Sequence, residues 1–127
     1  MLIEKEFVFD SAHFLPLVAE NHKCRKLHGH TYKVTIGVVG EPNAQGWIID
    51  FAEISAVVKP ILHKIDHTLL NAVAGLENPT AENIAVWIYE RVKKDLPILQ
   101  SVVVQEGMAS RVIYPHKPPV VSESNHE

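Results

Sequence analysis

The 127-residue chain has one cysteine, Cys24, so no internal disulfide can staple it, and that thiol must be a packed group, a metal ligand or a reactive group. No apolar run is long enough to span a bilayer, and Met1 to Asp10 alternates charged with apolar residues where a signal peptide would be uninterruptedly apolar. These absences predict a cytoplasmic protein with no membrane partner. Basic charge is scarce as well: 12 Lys and Arg against 15 Asp and Glu leave a net charge of −3, which gives nucleic acid no electrostatic footprint. No repeat of solenoid period is present. With 46% hydrophobic and 21% charged residues, a chain of this length is expected to form one domain with a core of its own. Histidine is in excess. There are eight, and His22, His28 and His30 crowd into nine positions, a local concentration that points to a site.

Hydrophobic periodicity organises the rest. Ile3, Phe7 and Phe9 share one parity while Glu4, Glu6 and Asp10 share the other, which predicts a half-buried strand from Leu2 to His13. Residues 31 to 39 are rich in β-branched and aromatic side chains and lead into Gly40-Glu41-Pro42-Asn43, a second strand and its turn. The connection from Phe14 to Leu27 is long, and loops of that length in compact domains are usually functional or disordered. Asp50 and Glu53 are spaced as a capping box before Ile54, Val57, Val58, Ile61, Leu62, Ile65 and Leu69, an amphipathic helix in which Pro60 predicts a kink or break. Thr80 is placed to cap a second helix that carries Ile84, Trp87, Ile88 and Val92 towards Pro97. Two strand-like runs, 98–106 and 110–114, flank Gly107. The order is ββααββ, which argues for an α+β fold, and residues 115–127, with three prolines and no period, read as a mobile tail.

On an extended backbone His28 and His30 project to the same side, and His13 ends the preceding strand on a parity that can meet them. Three neutral imidazoles suit zinc and leave a fourth position free, the pattern of a catalytic site. Two plainer readings stay open. His-Gly-His can be a pair of surface histidines near a turn, and Cys24 with the three histidines can make a closed, purely structural tetrahedral site.

Lys23, Arg25 and Lys26 flank Cys24 and favour its thiolate, so a reactive thiol is one reading and a structural cysteine the other. Asp66-His67 reads either as a carboxylate orienting an imidazole that relays a proton, or as a helix-end histidine at the C-terminal dipole. Sequence neighbours do not face each other on a regular helix, so the relay requires the helix to end or bend there. Glu106 continues the parity of Val102 and Val104 towards the buried side, where a carboxylate needs a partner such as the adjacent N–H donors of an aminopyrimidine. A solvated glutamate at a sheet end is the alternative.

Taken in order, Ser11-Ala12-His13, Cys24-Arg25-Lys26-Leu27-His28-Gly29-His30, Gly46-Trp47-Ile48-Ile49-Asp50-Phe51, Asp66-His67, Asn78-Pro79-Thr80-Ala81-Glu82 and Glu106 resemble the 6-pyruvoyltetrahydropterin synthase family. The resemblance spans about residues 2 to 114 and is closest to the bacterial 6-carboxytetrahydropterin synthase branch of queuosine biosynthesis. It implies one synthase-like domain over residues 1–114 with the tunnelling fold, an antiparallel sheet with two helices on one face. It further implies subunits that assemble into a trimeric barrel or a dimer of trimers, with active sites between chains. It implies zinc on His13, His28 and His30, Cys24 as general base, Asp66 and His67 as its relay, and Glu106 as the pterin anchor. Thr80 and Glu82 match a segment near the substrate, although capping the second helix explains Thr80 equally well. The implied substrate is 7,8-dihydroneopterin triphosphate, converted to 6-carboxy-5,6,7,8-tetrahydropterin with release of acetaldehyde and triphosphate. The alternatives are a pyruvoyl synthase that only eliminates triphosphate, and a zinc-stapled module without catalysis.

Overall fold

The computed structural model describes residues 1–116; the tail expected over 115–127 lies almost wholly outside them. Four strands, β1 (Leu2–His13), β2 (His28–Val39), β3 (Leu99–Glu106) and β4 (Ser110–Tyr114), form one antiparallel sheet in the order β1-β2-β3-β4. Two helices, α1 (Phe51–His63) and α2 (Ala81–Asp95), lie between β2 and β3 in the chain, giving the expected ββααββ order.

Alternation decides which face is covered. Phe7, Phe9, Ser11 and His13 of β1 and Tyr32, Val34, Ile36 and Val38 of β2 are buried, and Phe9 stacks on Tyr32 at 4.8 Å between centroids. The opposite parity, with Glu4, Glu6, Val8 and Asp10, is exposed. The helices close the buried face with Ile54, Val58, Ile61 and Leu62 of α1 and Ile84, Ala85, Trp87, Ile88 and Val92 of α2.

Asp50 caps α1 by accepting a hydrogen bond from the Ala52 N–H at 2.8 Å. The helix runs through Pro60 without a break. Burial of its four apolar side chains supplies about 6–12 kcal/mol, which outweighs the ~3 kcal/mol that an internal proline costs. The helix does not reach Leu69. It ends at His63, turns occupy 64–67, and Leu69 is 40% exposed, so the apolar spacing beyond Leu62 was continued by the turn rather than by the helix. Thr80 caps α2 as expected, accepting from Asn83 N–H at 3.1 Å. β2 begins at His28 rather than Thr31, because the His-Gly-His segment already pairs with β1. Among the described residues no helix is long and apolar enough to cross a membrane.

Candidate functional site

The β1–β2 register sets His13 opposite His28 and Ser11 opposite His30. His13, His28 and His30 all lie on the helix-facing parity, so three imidazoles enter one layer at the end of the sheet. Their ring centroids are 4.6, 5.0 and 4.8 Å apart. The tautomers of two of them follow from their partners. His13 Nδ1 lies 2.7 Å from the Pro79 carbonyl and His28 Nδ1 2.6 Å from the Lys26 carbonyl, and since a carbonyl only accepts, both Nδ1 atoms carry the proton. The Tyr32 hydroxyl oxygen stands 3.3 Å from the same His13 nitrogen.

The Nε2 lone pairs of His13 and His28 then face each other across 3.1 Å. Two lone pairs at that distance repel unless a cation sits between them. Metal–nitrogen bonds near 2.0 Å in a tetrahedral site would put the nitrogens about 3.3 Å apart, close to what is seen. His30 Nε2 is buried with no hydrogen-bond partner; Glu106 Oε1, 3.2 Å away, does not meet it along a hydrogen-bonding direction. Burial lowers the pKa of His13, only partly offset by its bond to the Pro79 carbonyl, and so favours the neutral imidazole that a metal would need. Two facing lone pairs and one orphaned nitrogen fit a metal ion.

Cys24 does not belong to this cluster. Among the described residues, two groups have ligand atoms within 4.8 Å of one another, His13, His28 and His30 in one and Asp10, Asp66 and His67 in the other, and Cys24 is in neither. Cys24 sits half-buried in a one-turn 3-10 helix, Lys23–Arg25, that gives the long loop its structure. Its N–H donates to His22 Nδ1 at 3.0 Å and its carbonyl accepts from Leu15 N–H at 2.8 Å, so both peptide groups flanking the thiol are held. The closed four-ligand reading therefore lacks its fourth ligand in this arrangement.

A cavity of about 540 Å³ is lined by His13, Thr80, Glu82 and Glu106 together with Leu15, Ser110, Arg111 and Val112. It brings a metal-ligand candidate, the proposed pterin anchor and the α2 start into one space. Glu106 keeps the buried-side parity expected of it and pairs in register with Ser110. Ser110 and Arg111 carried no signal in the sequence, because a residue after a hairpin turn acquires a neighbour only once the hairpin is docked.

Asp66 and His67 are joined, Nδ1 to Oδ1, at 2.9 Å. The adjacency problem is solved by the end of the helix: His67 lies four residues past it in the left-handed region, φ 52°. The helix-end histidine is His63 instead. The hydrogen bond to Asp66 and its charge raise the pKa of His67; the Asp10 N–H, then the His67 bond, lower that of Asp66. His67, without Asp66, lines a different cavity, about 660 Å³, which takes in Asp10, Ala12, Gly29 and Thr31 from the uncovered parity and Ser11 and His30 from the covered one. Among the described residues, nothing in this chain joins the pair to Cys24.

The model of the family described as 6-pyruvoyl tetrahydropterin synthase matches residues 2–117. A 6-carboxy-5,6,7,8-tetrahydropterin synthase of Synechocystis sp. is 37% identical over 120 residues, covering 89% of this chain and 92% of its own. A dihydroneopterin monophosphate aldolase of Pyrococcus furiosus is 39% identical, covering 70% and 72%. The structure of Caenorhabditis elegans 6-pyruvoyl tetrahydropterin synthase superposes with a TM-score of 0.84 at 23% identity, covering 92% of this chain and 96% of that one, a likeness of fold. With the ordered histidines, the dyad and Glu106 in place on that fold, the chain belongs to the 6-pyruvoyl tetrahydropterin synthase family.

Proposed function

We propose that the chain is a zinc-dependent lyase that converts 7,8-dihydroneopterin triphosphate to 6-carboxy-5,6,7,8-tetrahydropterin, releasing acetaldehyde and triphosphate, as a step towards queuosine. The observation that carries this reading is that His13 belongs both to the three-histidine cluster and to the cavity that holds Glu106. The similarity to the Synechocystis synthase, over most of both chains, favours the carboxy product.

In this reading His13, His28 and His30 hold zinc, which suits three imidazoles and, once bound, supplies Lewis acidity to the substrate's side-chain hydroxyls. Glu106 accepts the adjacent N–H groups of the pterin's aminopyrimidine, fixing the ring at one end of the cavity. Thr80 and Glu82 line the same space beside the ring. Cys24, with both flanking peptide groups held, removes the proton at the side-chain carbon, and His67 takes that proton on, oriented and charge-stabilised by Asp66.

Because the exposed His67 has no contact with Cys24 among the described residues, in this reading the dyad serves the site of a neighbouring subunit. β1 and β4 are the two edges of the sheet, and the peptide groups that such edges leave unpaired can take a neighbouring strand. A trimeric barrel closed edge to edge, alone or stacked as a dimer of trimers, fits both facts.

Product analysis tests the reaction. Acetaldehyde with triphosphate is the expected result, while triphosphate without acetaldehyde means a pyruvoyl synthase. The similarity to the Pyrococcus aldolase makes a second reading specific: cleavage of a dihydroneopterin monophosphate, marked by a hydroxymethylpterin product. Tight zinc with no product would leave only a binding module.

A further inference from the structure

Two polar side chains are buried among the described residues, His13 at 1% exposure and Ser11 at 8%, two positions apart on the same face of β1. His13 belongs to the metal cluster. Ser11 lies opposite His30, and nothing in the reaction proposed above uses its hydroxyl.

Its partners lie across the dyad turn. The Ser11 hydroxyl donates to the Ile65 carbonyl and its oxygen accepts from the Thr68 N–H at 3.2 Å, so one buried group grips the residues on either side of Asp66-His67. The backbone of β1 does the rest. Asp10 N–H donates to Asp66 Oδ1 at 3.0 Å, His67 N–H donates to the Asp10 carbonyl at 2.6 Å, and Ala12 N–H donates to the Thr68 carbonyl at 3.0 Å. The segment after α1 thus lies along β1 almost as an added strand. His67 keeps its N–H in that ladder but sits at φ 52°, a left-handed conformation that is strained for a non-glycine residue. Where the ladder lacks backbone partners, a carboxylate oxygen of Asp66 and the hydroxyl of Ser11 stand in.

We propose that Ser11 is a positioning residue for the Asp66–His67 pair, holding the left-handed turn that presents the imidazole. The inference rests on the relay reading of the dyad. Without the hydroxyl, the Ile65 carbonyl and Thr68 N–H lose their buried partner, the turn relaxes towards an ordinary conformation, and the His67 ring no longer keeps its bond to Asp66. Because the Pro79 carbonyl holds the His13 ring and the His30 ring packs against Tyr32, neither through the Ser11 hydroxyl, the metal cluster is expected to stay intact.

The test is Ser11→Ala, with Ser11→Thr as the variant that keeps the hydroxyl, on the full-length oligomer. Four quantities are read: zinc content, kcat, KM, and the NMR titration of the His67 ring. Ser11→Ala is expected to keep its zinc and KM, to lose kcat about tenfold or more, and to shift the His67 titration down; Ser11→Thr restores both. If Ser11→Ala does not accumulate as folded protein, Ser11→Cys, similar in size with a weaker donor, carries the same measurements. An unchanged His67 titration overturns the proposal even if the variant melts earlier, since a purely structural serine would do only that. His67→Ala is run alongside. If it turns over at the wild-type rate, the relay reading itself falls and Ser11 has nothing to position; if it is slow while Ser11→Ala is not, only the Ser11 inference falls.

Discussion

Cys24→Ala separates a thiol that moves a proton from one that holds a metal. The thiol lies outside the three-histidine cluster, so zinc content should match the wild type. The peptide bonds that pin the loop, Cys24 N–H to His22 and Leu15 N–H to the Cys24 carbonyl, run through the backbone and survive the change. A half-buried side chain that shrinks by one atom away from such features costs about 0.5 kcal/mol or less, a melting shift of about 3 °C at most in a domain this size. Turnover should behave differently. Removing a general base lowers kcat by ~10²–10⁴, which is about 2.7–5.5 kcal/mol at the transition state. Pterin binding through Glu106 and the metal should persist, so KM should change little. The assay measures metal by plasma mass spectrometry, melting by calorimetry and turnover by product chromatography, all on one preparation. A variant that loses zinc and melts early would refute the argument by making the sulfur a ligand. A variant that turns over at the wild-type rate would remove Cys24 from the chemistry.

His28→Ala and His30→Ala should each lose most of their zinc, since two imidazoles make a weak site; full occupancy in both, measured after dialysis, would end the three-histidine assignment. Thr80→Ala removes the α2 cap and should cost about 1 kcal/mol in denaturant titration. A rise in KM beyond what unfolding explains would add a substrate role for Thr80, and an unchanged KM would leave it a cap. Asp66→Asn keeps an acceptor for the Asp10 N–H but drops the charge, so the raised pKa of His67 should fall towards about 6.5 in an NMR titration. The stability from this pair is fully present between about pH 4, above which Asp66 is ionised, and about pH 6.5, and it fades as pH rises through the folded pKa of His67, so the wild-type advantage over Asp66→Asn should shrink above that range. An advantage that grew with pH would contradict the assigned direction.

Local pattern was enough for much of this molecule. Alternation in Leu2–His13 fixed which side of β1 is buried, and with it placed Ser11 and His13 inward; the same rule carried Glu106 to the side of Val102 and Val104. Side-chain period and capping chemistry act over a few residues, so the strands, both helix starts and the orientation of the histidines were all legible. Tertiary packing decided what depends on distant partners. The end of α1 at His63 follows from the docking of residues 65–69 on β1, and that docking, not the local sequence, puts His67 in the left-handed region and lets neighbours in sequence meet side by side. The lone pairs of His13 and His28 face each other only because carbonyls of Pro79 and Lys26, one of them 66 residues away, hold the far side of each ring. Hydrogen bonds and cavities between segments remote in the chain exist only once the chain has closed on itself, which is why the partners of Ser11, the place of Ser110 and the separation of the dyad from Cys24 emerge from the fold alone.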